Sequence, residues 1–237
     1  MTHLRTVFIA ALATLSLAAC DKDKGKADKA DKPATTAEGD KTKPGMDSPK
    51  PADPPKQVDP PKDEPKVTKT SALDLELVEQ GGKYTVRDDA YEVTFPVRPE
   101  VTGGVQPAPN GMNLRTATAM GQKSNTEAYA FFMIPIPKDV PYDVKVGLDG
   151  ARDGAIRNIN GKLISEVETT IGGIKGRKVI ASTEMGGQKL YLQMHYGWDA
   201  SHNTMVGMFT TGESQNLPDD FAMTFKINPK GKAPPAK

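Results

Sequence analysis

The chain has 237 residues, with 31 Lys plus Arg against 30 Asp plus Glu and a formal net charge of +1. Nothing in this balance indicates a nucleic-acid-binding protein, which would carry a clear excess of basic residues. The chain has one cysteine, Cys20, so the sequence excludes an intramolecular disulfide and a metal site built from several cysteines.

Residues 1–19 have the layout of a targeting segment. A short polar start with His3 and Arg5 precedes an uncharged apolar stretch at 6–17. That stretch is too short for a bilayer core, which needs about 20 apolar residues. We therefore interpret it as the apolar part of a signal peptide and exclude it from the fold.

The end of this segment, Leu-Ala-Ala-Cys at 17–20, resembles the lipobox of bacterial lipoproteins. The resemblance implies cleavage after Ala19 and a lipid on the sulfur of Cys20, which would attach the protein to a membrane. The alternatives are an ordinary signal peptide with an incidental cysteine, or an apolar N-terminal helix. Asp21 after the cysteine implies inner-membrane retention in enteric bacteria, and inner versus outer membrane stays open.

The segment that follows, together with Cys20, is predicted to be a disordered tether at 20–66. Residues 21–66 contain eleven lysines, eleven acids and no Leu, Ile or aromatic residue, too little apolar surface to offset the chain entropy lost on folding. The alternative is that the lysines bind peptidoglycan or anionic lipid, which the interleaved acids weaken. The tail at 229–237 has the same character and is also predicted to be disordered.

The remaining residues, 67–228, have the size of one domain. With 16 Lys plus Arg against 19 Asp plus Glu they are slightly acidic, and we expect no nucleic-acid partner. Alternation of apolar and polar residues with period two predicts strands. These strands are expected at 73–77, 91–95, 114–120, 129–136, 163–170, 177–183, 190–198, 204–211 and 221–227.

One segment departs from this alternation and predicts a helix within 141–159. Val144, Leu148, Ala151 and Ala155 recur at steps of four, three and four, which places them on one face of a helix. Its internal glycines lower helix propensity but allow close packing. A second short helix is expected near 217–221. The predicted fold is α+β: an antiparallel sheet of about seven strands, one main helix and a short C-terminal helix.

Several segments, in this order, resemble the PsbP-like family. They are YEVTFPVRPEV at 91–101, AYAFFMIPIP at 128–137, LDGARDGAI at 148–156, GKLISEVETTIGGIKGRKVIAS at 161–182, KLYLQMHYGW at 189–198 and FAMTFKI at 221–227. Each segment alone is weak, and the order and spacing carry the resemblance. It implies an α/β/α sandwich around an antiparallel sheet. The fold serves binding and assembly roles, so it informs architecture more than function.

Motifs for catalysis or metal binding are weak. The glycine-rich segment 172–178 could cradle a phosphate, but it lacks the Gly-Lys-Ser/Thr ending of a P-loop and favours a hairpin turn. His195 and His202 could approach each other across a hairpin, without a third ligand at metal-binding spacing. Glu166 and Glu168 fall on a predicted exposed strand face. We expect no catalytic residue, no metal and no cofactor.

Methionines and aromatic residues near the C-terminal hairpin allow two further interpretations. Met194, Met205 and Met208 could bind copper, but the sequence favours core packing. Tyr191, Tyr196 and Trp198 crowd one strand end and form a possible recognition patch. We therefore expect a membrane-anchored, non-enzymatic binding or assembly module with an unknown envelope partner. The alternatives are an envelope hydrolase or transferase with an unrecognised site, or a structural spacer.

Overall fold

The structure, a computed structural model, describes residues 65–69, 73–107 and 113–228. The predicted signal peptide, Cys20, nearly all of the tether and the tail at 229–237 lie outside these residues, so those predictions stay predictions. The described helices are α1 (Val144–Asn158) and α2 (Asp220–Met223). The described strands are β1 (Lys66–Lys69), β2 (Glu76–Gln80), β3 (Lys83–Arg87), β4 (Tyr91–Phe95), β5 (Glu100–Pro107), β6 (Asn113–Gln122), β7 (Ala128–Pro135), β8 (Lys162–Ile171), β9 (Ile174–Met185), β10 (Gln188–Asp199), β11 (Thr204–Gly212) and β12 (Lys226–Ile227).

The strands form two antiparallel sheets. One has seven strands in the order β5-β6-β7-β11-β10-β9-β8, and the other has five in the order β1-β2-β3-β4-β12. The predicted α+β class, the seven-stranded sheet, the main helix and the short C-terminal helix are confirmed. The five-stranded sheet was not predicted. It contains the strand expected at 91–95 as β4, whereas only Glu76 and Leu77 of the strand expected at 73–77 are extended, because Leu73 and Asp74 form a turn with positive φ.

The seven-stranded sheet has a hydrophobic core on each face, because successive side chains of a strand point to opposite sides. The first core lies under α1 and includes Phe132, Met194 and Met205. The second lies against the five-stranded sheet and α2 and includes Phe131 and Met208. The three methionines near the hairpin are at most 1% exposed, as their interpretation as core residues predicted.

Helix α1 begins where Asp143 caps it, its carboxylate accepting a hydrogen bond from the backbone N–H of Val146 (3.0 Å). Leu148, Ala151 and Ala155 are buried in the first core, which confirms the face predicted from their spacing. A side chain at Gly147 would meet the hydroxyl of Tyr142 at 1.9 Å. This glycine therefore allows the tyrosine to pack against the first turn of the helix.

Two turns of the chain test local predictions. Gly172 and Gly173, with φ of 53° and 93°, connect β8 and β9, so the glycine-rich segment is a hairpin turn as expected. The strand expected at 221–227 is wrong for most of its length. Residues 220–223 form α2, whose Phe221 and Ala222 are buried in the second core, and only β12 is extended.

Candidate functional site

The three aromatic residues of the predicted recognition patch lie in different places. Tyr196 is 1% exposed and belongs to the first core. Trp198, on the same face of β10, is half-buried and stacks on Tyr142 with 4.6 Å between ring centroids. Tyr191 is on the opposite face, with Lys189 Nζ 5.4 Å from its ring centroid. The structure therefore does not bring the three side chains together on one surface.

The two histidines of the described residues contact different carboxylates. His195 Nε2 lies 3.1 Å from Asp219 Oδ1, whereas His202 Nδ1 lies 2.6 Å from Asp199 Oδ2. Within 65–69, 73–107 and 113–228, no three His, Cys, Asp or Glu side chains are grouped so that they could hold a metal ion. Three polar clusters remain as candidates, and each has a charged group at its centre.

The first cluster joins α1 to the edge of the seven-stranded sheet. Arg177 Nη1 contacts Asp149 Oδ1 at 2.5 Å and Glu166 Oε1 at 2.7 Å, and Arg152 Nη1 contacts Glu166 Oε2 at 2.7 Å. Hydrogen bonding with Arg177 holds the pKa of Asp149 below its usual range. Asp149 and Arg152 lie on α1, whereas Glu166 lies on β8 and Arg177 on β9, so these charge-assisted contacts hold the helix on the sheet. Each arginine already has its carboxylate partners.

A buried tyrosine lies beneath this ion network. The Tyr196 hydroxyl is within electrostatic reach of Glu166 and Arg177 but makes no hydrogen bond of good geometry with a described residue. Burial raises its pKa to about 12, so the hydroxyl is neutral at physiological pH. Glu166 was expected on an exposed face, and its side chain is instead only 22% exposed.

The second cluster centres on the buried carboxylate of Asp199, at the end of β10. Oδ2 accepts a hydrogen bond from Tyr91 Oη (3.0 Å) and contacts His202 Nδ1, and Oδ1 accepts one from Ser201 Oγ (2.6 Å). Burial alone would raise the pKa of Asp199, but hydrogen bonds from Ser201 and His202 outweigh it and hold the pKa low. Since Tyr91 belongs to the five-stranded sheet, this carboxylate joins the two sheets.

Asp199, Ser201 and His202 are the three residue types that form the catalytic triad of a serine hydrolase. In such enzymes the aspartate binds one imidazole nitrogen and the serine gives its proton to the other. Here Ser201 Oγ (2.9 Å) and Asp199 Oδ2 both lie beside Nδ1 of His202. Ser201 also donates to the carboxylate itself, so this geometry suits a hairpin turn rather than proton transfer.

The third cluster lies on the face of the sheet opposite α1, the same face as Asp199, and has Asp219 at its centre. Oδ1 of Asp219 is 2.7 Å from Lys178 Nζ, 2.8 Å from Gln193 Nε2 and 3.1 Å from His195 Nε2. Lys178 on β9 is directly opposite His195 on β10. Two neighbouring strands thus aim three nitrogen atoms at a single carboxylate oxygen.

Burial and charge set the protonation of this third cluster. Gln193 is 2% exposed and His195 is 7% exposed, and burial lowers the pKa of His195 despite the nearby Asp219 carboxylate. Burial would raise the pKa of Asp219, but the hydrogen bond and positive charge of Lys178, together with the hydrogen bond from His195, hold it below its usual range. The cluster is therefore a neutral histidine, an amide and an ammonium around an ionised carboxylate.

Asp219 comes from the segment 213–219, which we name the strap, between β11 and α2. Most of the strap is exposed, but Leu217 is half-buried, and its Cδ2 would be 2.6 Å from a side chain at Gly212. Gln193 Nε2 also lies 3.3 Å from the carbonyl oxygen of Pro218. Sequence reasoning missed this cluster, because residue 219 is 26 positions from Gln193 and 41 from Lys178.

Comparisons with known proteins give little functional information. No family model and no curated protein matches this chain. A similar solved structure is LpqN of Mycobacterium tuberculosis, described as involved in cell envelope biogenesis. The match has 15% identity and a TM-score of 0.32, and it covers 73% of this chain and 88% of LpqN. At that TM-score the likeness carries no argument about fold or function. None of the described helices has the length and apolar character needed to cross a membrane.

Proposed function

We propose that this chain is a lipid-anchored protein of the bacterial cell envelope, whose domain at 67–228 is a non-enzymatic binding or assembly module. The observation that carries the proposal is the Leu-Ala-Ala-Cys motif at 17–20. Its position after an apolar stretch of signal-peptide length, with no other cysteine in the chain, favours Cys20 as the lipid attachment point. The PsbP-like resemblance adds that this kind of fold serves binding and assembly.

The chain after Cys20 suits a domain held away from a membrane. A flexible chain of this length has a root-mean-square span of roughly 35–40 Å, and its prolines would extend it further. Equal numbers of lysines and acids leave it without net attraction to an anionic surface. A domain on such a tether is free to meet a partner in the envelope, which favours a binding role over catalysis on the membrane itself.

The anchor is tested by changing Cys20→Ser in cells that export the protein, with Ser16→Ala as a control within the same signal peptide. Without the thiol there is no site for the lipid, so the variant is expected in the soluble fraction or as an unprocessed precursor. The control is expected at the membrane, like the parent. Membrane fractionation and an intact-mass measurement distinguish these results, and normal processing of Cys20→Ser with unchanged attachment would contradict the anchor.

The binding role is tested by cross-linking in intact cells, followed by purification from membranes. A binding module is expected to yield a cross-linked species that depends on residues of its own surface. A structural spacer would yield none, and it would tolerate replacement of the domain by an unrelated one of equal size. If the domain were a hydrolase or transferase, a compound bound by it would be chemically changed during the incubation.

One observation favours the hydrolase enough to merit its own test. Asp199, Ser201 and His202 lie within hydrogen-bond distance of one another, although the serine and the aspartate share one imidazole nitrogen. We expect no ester hydrolysis above the buffer rate with p-nitrophenyl acetate, and no difference between the parent and Ser201→Ala. Turnover that Ser201→Ala abolishes would favour the hydrolase over the binding module.

A further inference from the structure

The cluster around Asp219 has the composition of an anion-binding site. Two of its three nitrogen-bearing side chains, Gln193 and His195, are more than nine-tenths buried, and they lie on neighbouring positions of one face of β10. Lys178, 24% exposed, adds the positive charge. Hydrogen bonds that involve a charged group are among the strongest in proteins. Three nitrogen donors directed at one oxygen atom therefore favour an anionic ligand.

The present occupant comes from a largely exposed segment. Asp219 is 47% exposed, and six of the seven strap residues are exposed, with only Leu217 half-buried. The site is thus buried on the sheet side and reaches solvent on the strap side. A carboxylate from outside can approach the same three nitrogens once the strap moves away.

The occupancy by Asp219 leaves the site incompletely satisfied. The amide oxygen Oε1 of Gln193 is buried and accepts no hydrogen bond from a described residue. An unpaired buried acceptor destabilises the folded state, because it has lost its hydrogen bonds to water without replacing them. Pro218, the strap residue before Asp219, has no backbone N–H to offer. A ligand with an N–H beside its carboxylate, such as an acylated amino acid or a peptide, has both groups.

We propose that Lys178, Gln193 and His195 form a carboxylate-binding site on the domain, which the strap closes by inserting its own Asp219 carboxylate until a ligand carboxylate replaces it. This inference deepens the proposed binding function and rests on it for biological meaning. The site itself is independent of the membrane anchor. The ligand class is a carboxylate, from either a free small acid or an acidic peptide.

The test empties the site in the full-length protein by changing Asp219→Ala, and Asp220→Ala serves as the matched control because the two carboxylates are adjacent. Thermal unfolding is measured with sodium acetate, with N-acetylglycine, and with sodium chloride at equal ionic strength. Acetamide is the neutral comparison. We expect a saturable increase in Tm for Asp219→Ala with acetate and a larger one with N-acetylglycine. Acetamide, sodium chloride and the Asp220→Ala protein are expected to give no such increase.

Two further measurements connect this effect to the proposed residues. Adding Lys178→Ala to Asp219→Ala should reduce the carboxylate-dependent increase in Tm at least several-fold, and the His195 imidazole NMR signals of Asp219→Ala should shift on titration with acetate. If Asp219→Ala does not fold, Asp219→Asn keeps the size of the side chain and removes its charge, and the same titrations apply.

The same titrations with N-acetyl-aspartyl peptide amides of four to six residues, compared with acetate, show whether the bound carboxylate comes from a small acid or from a peptide. Tighter binding of the peptide indicates an acidic segment of a partner protein, and equal binding indicates a small acid. A destabilised Asp219→Ala protein with no response to any carboxylate would overturn the proposal and leave Asp219 as a structural latch. A response that Lys178→Ala leaves unchanged would do the same. Either result leaves the Cys20 experiment unaffected.

Discussion

The two faces of β10 have covers of different strength. On one face Leu192, Met194 and Tyr196 lie under α1, whose buried side chains continue the first core. On the other face Gln193 and His195 lie under the strap, which adds one half-buried leucine and one carboxylate. An apolar cover gains stability with each buried group, whereas a polar cover gains little net energy and fixes geometry. We therefore expect the first cover to contribute more to the stability of the domain, and the second to open at a lower free energy.

The largest expected effect tests the helical cover. Leu148→Ala removes a buried leucine, 8% exposed, and should lower the free energy of unfolding by roughly 2–5 kcal/mol. Lys145→Ala, on the same helix with an 81% exposed side chain, should change it by about 0.5 kcal/mol or less. Chemical denaturation of both proteins measures the contrast. Equal small effects would mean that α1 does not anchor the first core.

The same substitution on the other cover should have a smaller effect. Leu217 is half-buried against Gly212, so Leu217→Ala should lower the free energy of unfolding by about 1 kcal/mol. The backbone amides of 213–219 should also exchange with solvent through local opening, at a lower free energy than the amides of α1. Native-state hydrogen exchange checks this order. A strap protected as strongly as the helix would remove the difference between the two covers.

The smallest effect is a pH dependence specific to the strap face. Burial lowers the pKa of His195 from its ordinary value of 6.5, so between the lowered pKa and pH 6.5 the unfolded chain binds a proton that the folded chain does not. The unfolding free energy should therefore fall as the pH falls through that window. His195→Gln keeps a nitrogen donor but does not titrate, so its curve should be flatter between pH 7 and 5. Parallel curves would contradict a buried, neutral His195.

The sequence determined the features that depend on near neighbours. The buried face of α1 followed from Leu148, Ala151 and Ala155, because residues three and four apart share a helix face. The alternation at 190–198 assigned Met194 and Gln193 to opposite sides of a strand. Two adjacent glycines predicted the turn between β8 and β9, since both residues there have positive φ.

Only the tertiary structure decided which of these faces are covered and by what. Alternation places Gln193 and His195 on the polar side of β10, which by itself predicts that they face solvent. In the structure both are buried under the strap. Tyr91 reaches Asp199 across 108 positions of chain, and Lys178 reaches Asp219 across 41. Contacts at these separations depend on how two sheets and a strap pack together. Periodicity describes which side of a strand a residue is on, and it contains no information about the segment that will lie against that side.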